Sequence, residues 1–208
     1  MKALLRLKPY LKLAEQLGSF AGQLVETGLT GIEVEYCGHA AELNVKPLTQ
    51  IALASLLSPQ LATVNMVNVP VICRERNISV SETRCSDTVD FHTLVRLTVR
   101  TEGRTRSVAG TLFGGDRPRI VNIEDIPMEA ELGAHMLFVR NNDKPGFIGN
   151  LGRTLGDAGV NIATFHLGRL GAEQDAIALI QVDQYLNDAL LDHVRQIPHV
   201  VQVKALRF

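Results

Sequence analysis

Polar groups around one predicted helix have the types and spacing needed to bind a small charged molecule. The stretch 141–146, NNDKPG, ends an alternating apolar segment and directly precedes a helical pattern, so it predicts a tight turn followed by a helix start. A helix start presents unpaired backbone N–H groups and the positive end of the helix dipole, which suit a carboxylate or a phosphate. Asp143 offers a negative oxygen to an ammonium group, and Asn161 offers hydrogen-bond donors and an acceptor. This layout predicts a site for a zwitterion.

A purely structural interpretation of the same residues is simpler. Asp143 would only cap the helix, and Asn161 would only form a turn, because both residue types are common in those roles. Residue types alone favour this interpretation over a ligand site.

The sequence contains no pattern for catalysis, for a nucleotide or for a metal. Gly146, Gly149 and Gly152 lie between a predicted strand and a predicted helix, but their spacing differs from the Gly-x-Gly-x-x-Gly of dinucleotide sites. The six histidines are scattered, and no nucleophile elbow, phosphate loop or His-Glu-x-x-His occurs. We therefore expect no catalytic residue, no metal site and no cofactor in this chain.

The elements that position the zwitterion site form a repeating pattern from residue 135 onward. Residues 135–140 alternate as a strand, and Phe147, Leu151 and Leu155 mark one face of a helix. The later segments predict strand, strand, helix and strand in turn. The order βαββαβ is that of the ferredoxin-like split βαβ arrangement, and we expect it to pair with a second copy through a sheet edge or through the glycine-striped helix.

The segment before residue 133 predicts a separate mixed α/β domain. Its first helix starts near Pro9, with an apolar face formed by Leu13, Leu17, Phe20 and Leu24. Residues 91–100 and 105–113 predict a hairpin. The expected fold class is therefore α+β, with domains at 1–132 and 133–208.

Composition narrows the functional classes. The chain has 208 residues, 46% of them hydrophobic, and a formal net charge of −1, which argues against general nucleic-acid binding. No apolar stretch is long enough to span a membrane. Cys37, Cys73 and Cys85 are odd in number and widely spaced, so we expect neither a disulfide framework nor a zinc site, and a reducing cytoplasm as the location.

Motifs along the whole chain resemble a known family. NDKPGFIG (142–149) and GVNIA (159–163) resemble the ACT domain, an amino-acid-sensing module. VNMVNVP (64–70), RERNI (74–78), GTLFG (110–114) and PRIV (118–121) resemble the intervening domain, or allosteric substrate-binding domain, of long-form D-3-phosphoglycerate dehydrogenases. In that family this domain directly precedes a C-terminal ACT domain, so the resemblance implies the C-terminal regulatory part of such an enzyme.

The resemblance also implies a ligand, partners and a second site. L-serine would bind between two ACT domains for feedback inhibition, in a homodimer or a tetramer. The matching residues are Asn141, Asp143, Pro145, Gly146, Asn161 and Ile162, with Asn161 reaching across from the partner. Arg119 matches a position that is basic in relatives that bind an anion on this domain, and Arg117 lies close by; solvated arginines at a strand edge are the alternative interpretation. The parent enzyme uses NAD to commit 3-phosphoglycerate to serine synthesis, and its nucleotide-binding and catalytic domains are not part of this chain.

Three alternatives remain from the sequence. The first is the regulatory portion of an L-serine dehydratase, which joins similar domains. The second is an independent amino-acid sensor. The third is an enzyme of unrecognised type built on the same scaffold.

Overall fold

A computed structural model describes residues 2–26, 28–86, 90–171 and 174–208, with side chains described from residue 6 onward. It divides into two compact units, residues 1–124 and 125–208. The sequence pattern placed the boundary at 132/133 instead. The strand Ile126–Ala130 belongs to the second unit, where it packs against the strand Ile162–Arg169.

The first unit is a mixed α/β structure. Its helices are α1 (Lys2–Leu24), α2 (Lys46–Leu57) and α3 (Val69–Glu75), with a short 3-10 helix at His39–Glu42. Its strands are β1 (Leu29–Gly38), β2 (Ser79–Cys85), β3 (Thr93–Thr101), β4 (Thr105–Phe113) and β5 (Arg117–Ile123). They lie in the order β2-β1-β3-β4-β5, with β1 parallel to β2 and antiparallel to β3.

Helix α1 packs its predicted apolar face into the core of this unit. Leu13, Leu17, Phe20 and Leu24 are all buried, as their spacing predicts. The helix begins at Lys2, however, and Pro9 lies inside it rather than at its start. A proline in the interior removes one backbone hydrogen bond, and here that loss does not end the helix.

Two glycines of α1 allow α2 to approach closely. A Cβ atom at Gly18 would collide with the backbone carbonyl of Ala52, and one at Gly22 would collide with the backbone carbonyl of Leu56. The two glycines are four residues apart and therefore share one face of the helix. The absence of a side chain at both positions sets the distance between α1 and α2.

The expectation of no disulfide is wrong. Cys37 on β1 and Cys85 on β2 are register partners in the parallel ladder, and their sulfur atoms are bonded to each other. The two residues are 48 positions apart in the chain. Their meeting depends on the register of β1 against β2, which cysteine spacing does not reveal. Cys73 is a free, buried cysteine on α3.

The second unit has the predicted βαββαβ order after a leading strand. Its elements are β6 (Ile126–Ala130), β7 (His135–Asn141), α4 (Phe147–Asp157), β8 (Ile162–Arg169), β9 (Ala176–Val182), α5 (Asp188–Arg195) and β10 (Val200–Arg207). The four last strands form an antiparallel sheet in the order β10-β7-β9-β8. This is the ferredoxin-like arrangement, and the α+β fold class is confirmed.

Both helices of the second unit pack on one face of this sheet. Phe147, Leu151 and Leu155 of α4 lie in one buried cluster together with Leu190 and Val194 of α5. The cluster fixes the position of α4, and with it the position of the turn that precedes the helix. No helix in the described ranges combines the length and apolar character needed to cross a membrane.

Candidate functional site

The turn after β7 is organised by a buried asparagine. Asn141 ends β7 and is 1% exposed, and its Oδ1 accepts a hydrogen bond from the backbone N–H of Asp143 at 2.9 Å. This bond helps to hold Asp143 in a left-handed conformation with φ 44°. Asn141 Nδ2 has no hydrogen-bond partner among the described residues although it is buried. An unpaired buried amide donor is costly, and a ligand oxygen would satisfy it.

Helix α4 starts without a side-chain cap. Gly146 is its N-cap residue and has a φ of 92°, a conformation that glycine adopts without strain. The first bond of the helix runs from the N–H of Asn150 to the carbonyl of Gly146 at 2.9 Å. The N–H groups of Ile148 and Gly149 precede that bond and lie at the positive end of the dipole. They are suitable donors for a carboxylate, and Asp143 does not cap the helix.

Arg169 is a member of this cluster that the sequence motifs missed. Its Nη1 donates to Asp143 Oδ2 at 3.0 Å, so the end of β8 is joined to the turn after β7. The arginine side chain is 59% exposed and the carboxylate 16%. The only sequence signal was a basic residue at the end of a predicted strand, which many surface strands share.

Asn161 and Ile162 lie at the other end of α4. The helix has 11 residues, which separates its two ends by roughly 16 Å at 1.5 Å per residue. Asn161 Nδ2 donates to Asp183 Oδ2 at 2.6 Å, and Ile162 packs against the core cluster. Within one chain the fold therefore brings together Asn141, Asp143, Pro145 and Gly146, and leaves Asn161 and Ile162 apart from them.

The two predicted anion-binding arginines lie on β5 in the first unit. Arg119 donates from Nη1 to the carbonyl of Pro118 at 2.9 Å, and its guanidinium lies 6.0 Å from the centre of the Phe113 ring. Arg117 is exposed and lines a surface depression together with Asp90 and His92. The two arginines are two residues apart on one strand and so share a face. The carboxylate of Asp90 offsets part of the positive charge that Arg117 offers there.

Other groups in the first unit give little support for catalysis or metal binding. Glu35, Cys37 and Cys85 place their ligand atoms within 4.8 Å of one another, but the two sulfurs are bonded to each other and cannot ligate as thiolates. Burial raises the pKa of the Cys73 thiol, which makes it a poor nucleophile at neutral pH. Burial also raises the pKa of Tyr36, whose hydroxyl lies 2.8 Å from Thr49 Oγ1.

A mostly apolar cavity of about 220 Å³ opens between α1 and the sheet of the first unit. Phe20, Leu24 and Val108 are among its lining residues. Arg106 and Glu124 also line it and bond to each other at 2.9 Å. None of the residues predicted to bind a ligand lines this cavity.

Comparison with known proteins identifies the family. The family model described as the D-3-phosphoglycerate dehydrogenase intervening domain matches residues 6–124. The chain belongs to this family. The matched range coincides with the first compact unit apart from its first residues. The family resemblance drawn from the sequence motifs is therefore confirmed.

Relatives match far more than the intervening domain. D-3-phosphoglycerate dehydrogenase from Bacillus subtilis is 30% identical over 202 residues, which is 97% of this chain and 38% of that protein. The enzyme of the same name from Synechocystis is 35% identical over 194 residues, covering 92% of this chain and 35% of the relative. The Methanocaldococcus jannaschii enzyme is 28% identical over 97% of this chain. The chain thus spans a little over a third of the length of these dehydrogenases.

A structural match adds nothing to this identification. A homoserine dehydrogenase from Thiobacillus denitrificans covers 55% of the chain at 15% identity with a TM-score of 0.27. That score is too low to support a common fold.

Proposed function

We propose that the second unit is an ACT domain that binds L-serine, and that the chain is the regulatory part of a D-3-phosphoglycerate dehydrogenase. The observation that carries the proposal is the pairing of an uncapped helix start with a buried, unpartnered amide donor, Asn141 Nδ2. Both features lie beside a carboxylate, that of Asp143. An amino acid carries the complementary charges, one carboxylate and one ammonium group.

Each charged group of the ligand has a place in this cluster. The ligand carboxylate accepts from the N–H groups of Ile148 and Gly149 and from Asn141 Nδ2, where the helix dipole favours a negative charge. The ammonium group binds Asp143, whose second carboxylate oxygen is available beside the one that accepts from Arg169. Serine is the amino acid we propose because the relatives are D-3-phosphoglycerate dehydrogenases, enzymes of serine synthesis.

A second copy of the chain completes the site. Strand β8 is an edge of the four-stranded sheet, so it can pair with β8 of another copy. Antiparallel pairing would bring the start of one β8 next to the end of the other, and so Asn161 of the partner subunit next to Asp143. Ile148 is 54% exposed, Leu167 is 37% exposed and Leu170 is 53% exposed, and these large apolar side chains support an interface around the site.

The relatives suggest the biological setting. They are D-3-phosphoglycerate dehydrogenases, and this chain covers only part of their length. In our proposal the parent enzyme uses NAD to oxidise 3-phosphoglycerate in the cytoplasm, in the pathway of serine synthesis. Serine bound at the joint between two ACT domains fixes their relative position and thereby lowers the activity of the remote catalytic domains. This is feedback inhibition as a coupling between two sites.

A thermal unfolding experiment tests ligand identity. L-serine at about a hundred times its Kd stabilises the folded chain by roughly 2.7 kcal/mol, which raises the Tm by roughly 5–10 °C. D-serine and L-leucine serve as ligand controls. Asp143→Ala abolishes the rise, whereas Asp157→Ala, which removes an exposed carboxylate at the other end of α4, leaves it intact. A rise with another amino acid but not with serine would make the chain a sensor of that amino acid.

A mixing experiment tests the shared site. Asp143→Ala and Asn161→Ala each remove serine binding when alone. In a heterodimer of the two variants, one of the two sites retains Asp143 and Asn161 of the partner subunit, so binding returns in the mixture. Undiminished serine binding by Asn161→Ala alone would place the whole site within one copy.

Arg117 and Arg119 support a second, anion-binding function for the first unit. They share a face of β5, and a phosphorylated substrate carries the opposite charge. Isothermal titration with 3-phosphoglycerate tests this function, with Arg117→Gln and Arg119→Gln lowering the affinity. Turnover of NAD with the same substrate by the purified 208-residue chain would instead establish an independent enzyme.

A further inference from the structure

The Cys37–Cys85 bond is a feature of the first unit that amino-acid sensing does not use. It joins the last residue of β2 to β1 across the parallel ladder, with Cα atoms 4.6 Å apart. Strand β2 lies at the edge of its sheet and has β1 as its neighbour there. Its residues from Ser79 to Arg84 are exposed, so little packing holds this strand in place.

The two cysteine residues differ in their exposure to solvent. Cys37 is 3% exposed, whereas Cys85 is partly exposed and lines a surface depression. His39, Arg84 and His92 line the same depression, and the two imidazole rings are stacked with their centroids 6.2 Å apart. A small thiol can therefore reach Cys85 through this depression but cannot reach Cys37.

We propose that the Cys37–Cys85 cystine is a reversible modification site, which exchanges with small thiols and disulfides by attack at Cys85 and which fastens the edge strand β2 to β1. In a reducing compartment a protein disulfide of this kind is transient and reports the redox state of its surroundings. The exchange partners are a low-molecular-weight thiol and the corresponding disulfide. Reduced and oxidised glutathione are the probes for the experiments below.

The exchange proceeds in two balanced steps. An external thiolate attacks Cys85 Sγ, the bond between the cysteines breaks, and Cys37 leaves as a thiolate that takes up a proton. A second external thiolate then attacks the external sulfur of the mixed disulfide and releases Cys85. In sum, the cystine gains two electrons and two protons, and two thiols become one disulfide. The reverse sequence, with an external disulfide as the oxidant, restores the bond.

Charged groups near the sulfurs act in opposite directions on these steps. The Arg84 guanidinium, which also donates to the carbonyl of Ala41 at 2.8 Å, lies in the depression from which the thiolate arrives and attracts it. The carboxylate of Glu35 lies within 4.8 Å of both sulfurs and disfavours a thiolate there. Glu42 adds a second negative group on the rim. Both carboxylates repel an arriving thiolate and so act against Arg84, while Glu35 also pairs with Arg96 at 3.4 Å.

The first experiment equilibrates the folded, full-length chain with mixtures of reduced and oxidised glutathione and maps disulfides by mass spectrometry. We expect a single reversible transition between an oxidised chain, in which only Cys73 is a thiol, and a reduced chain, in which all three cysteines are thiols. Cys73→Ser is the matched control and leaves the Cys37–Cys85 transition unchanged. A bond that never forms with oxidised glutathione, or that reduced glutathione cleaves only after denaturation, overturns the proposal.

The second experiment tests the entry point with single-cysteine variants. In Cys37→Ala the partly exposed Cys85 forms a mixed disulfide with glutathione, and in Cys85→Ala the buried Cys37 does so roughly tenfold or more slowly. Equal rates contradict attack at Cys85. Near-ultraviolet circular dichroism of each variant establishes that it is folded before the rates are compared.

The third experiment measures what the bond fastens. On reduction, hydrogen exchange becomes faster in residues 79–85 and stays unchanged in β3 and β4, and the Tm of the first unit falls by on the order of 10 °C. Equal protection of β2 in the oxidised and reduced chains contradicts the fastening role, while the mass-spectrometric titration still reports on the exchange itself.

Discussion

Arg169 donates a hydrogen bond to Asp143 across 3.0 Å and so connects the end of β8 to the turn before α4. Asp143 is therefore neither the cap of α4 nor an isolated anion. Any ammonium group that binds there shares the carboxylate with a guanidinium. The charge of the candidate site therefore depends on Arg169, which lies 26 positions after Asp143 in the sequence.

Replacing Arg169 by glutamine separates the structural and the electrostatic parts of this pair. The free energy of unfolding changes by less than about 1 kcal/mol because the arginine is mostly exposed. Affinity for serine rises roughly two- to fivefold, because the ammonium group no longer meets a like charge at the same carboxylate. Isothermal titration calorimetry measures the change, with Arg153→Gln on exposed α4 surface as the control. A loss of affinity would show that Arg169 holds the ligand carboxylate instead.

Asn141→Asp tests the buried amide donor. The substituted side chain keeps an oxygen that can accept from the N–H of Asp143, so the turn retains its hydrogen bond. It loses the Nδ2 donor and brings a negative charge next to the ligand carboxylate. We expect serine binding to fall at least tenfold, as measured by titration calorimetry. The left-handed turn at Asp143 should persist in the NMR chemical shifts, and unchanged serine affinity would remove Asn141 from the site.

Gly18→Ala tests the contact between α1 and α2. The added methyl group collides with the Ala52 carbonyl, and overpacking of this kind costs roughly 1–3 kcal/mol. Better helix propensity returns up to about 1 kcal/mol. Urea denaturation should therefore give a net loss of up to about 2 kcal/mol. Gly152→Ala on α4 is the control, since its Cβ meets open space and the same propensity term acts alone. Equal changes in the free energy of unfolding for Gly18→Ala and Gly152→Ala would mean that α1 and α2 move apart without a measurable cost.

Alkaline pH should destabilise the first unit through Tyr36. Burial raises the pKa of this phenol above its ordinary value near 10, so the unfolded chain loses the proton first. The contribution to stability is complete below pH 10 and declines above it, by about 1.4 kcal/mol per pH unit until the folded form also ionises. Urea denaturation between pH 9 and 11 measures the slope against Tyr36→Phe, which lacks the ionisable group. If stability falls with pH equally steeply in the unsubstituted chain and in Tyr36→Phe, the loss of stability comes from other residues.

Periodic patterns predicted most of the fold. The apolar faces of α1 and α4, the hairpin of β3 and β4 and the βαββαβ order all follow from repeats of about 3.6 or 2 residues. The predicted start of α1 at Pro9 was wrong. From the sequence alone, a proline that a helix tolerates in its interior cannot be distinguished from a proline in its first turn. The division of the chain also differed, since β6 goes with the second unit through contacts with β8.

The candidate site was predicted in part. Asn141, Asp143, Pro145 and Gly146 follow one another in the chain, so a local motif was enough to place them together. Arg169 joins them from the end of another strand, and no spacing rule connects it to Asp143. The predicted contribution of Asn161 requires a second copy, and it stays a prediction.

Local sequence determined the elements of this protein: where the helices and strands lie, which of their faces are apolar, and that a tight turn precedes α4. Those features depend on backbone preferences and on residues within a few positions of each other. The tertiary structure alone decided which distant side chains meet, as with Arg169 and Asp143 or Cys37 and Cys85. Strand register and helix packing set those contacts, and both result from the burial of the whole apolar surface rather than from any one segment.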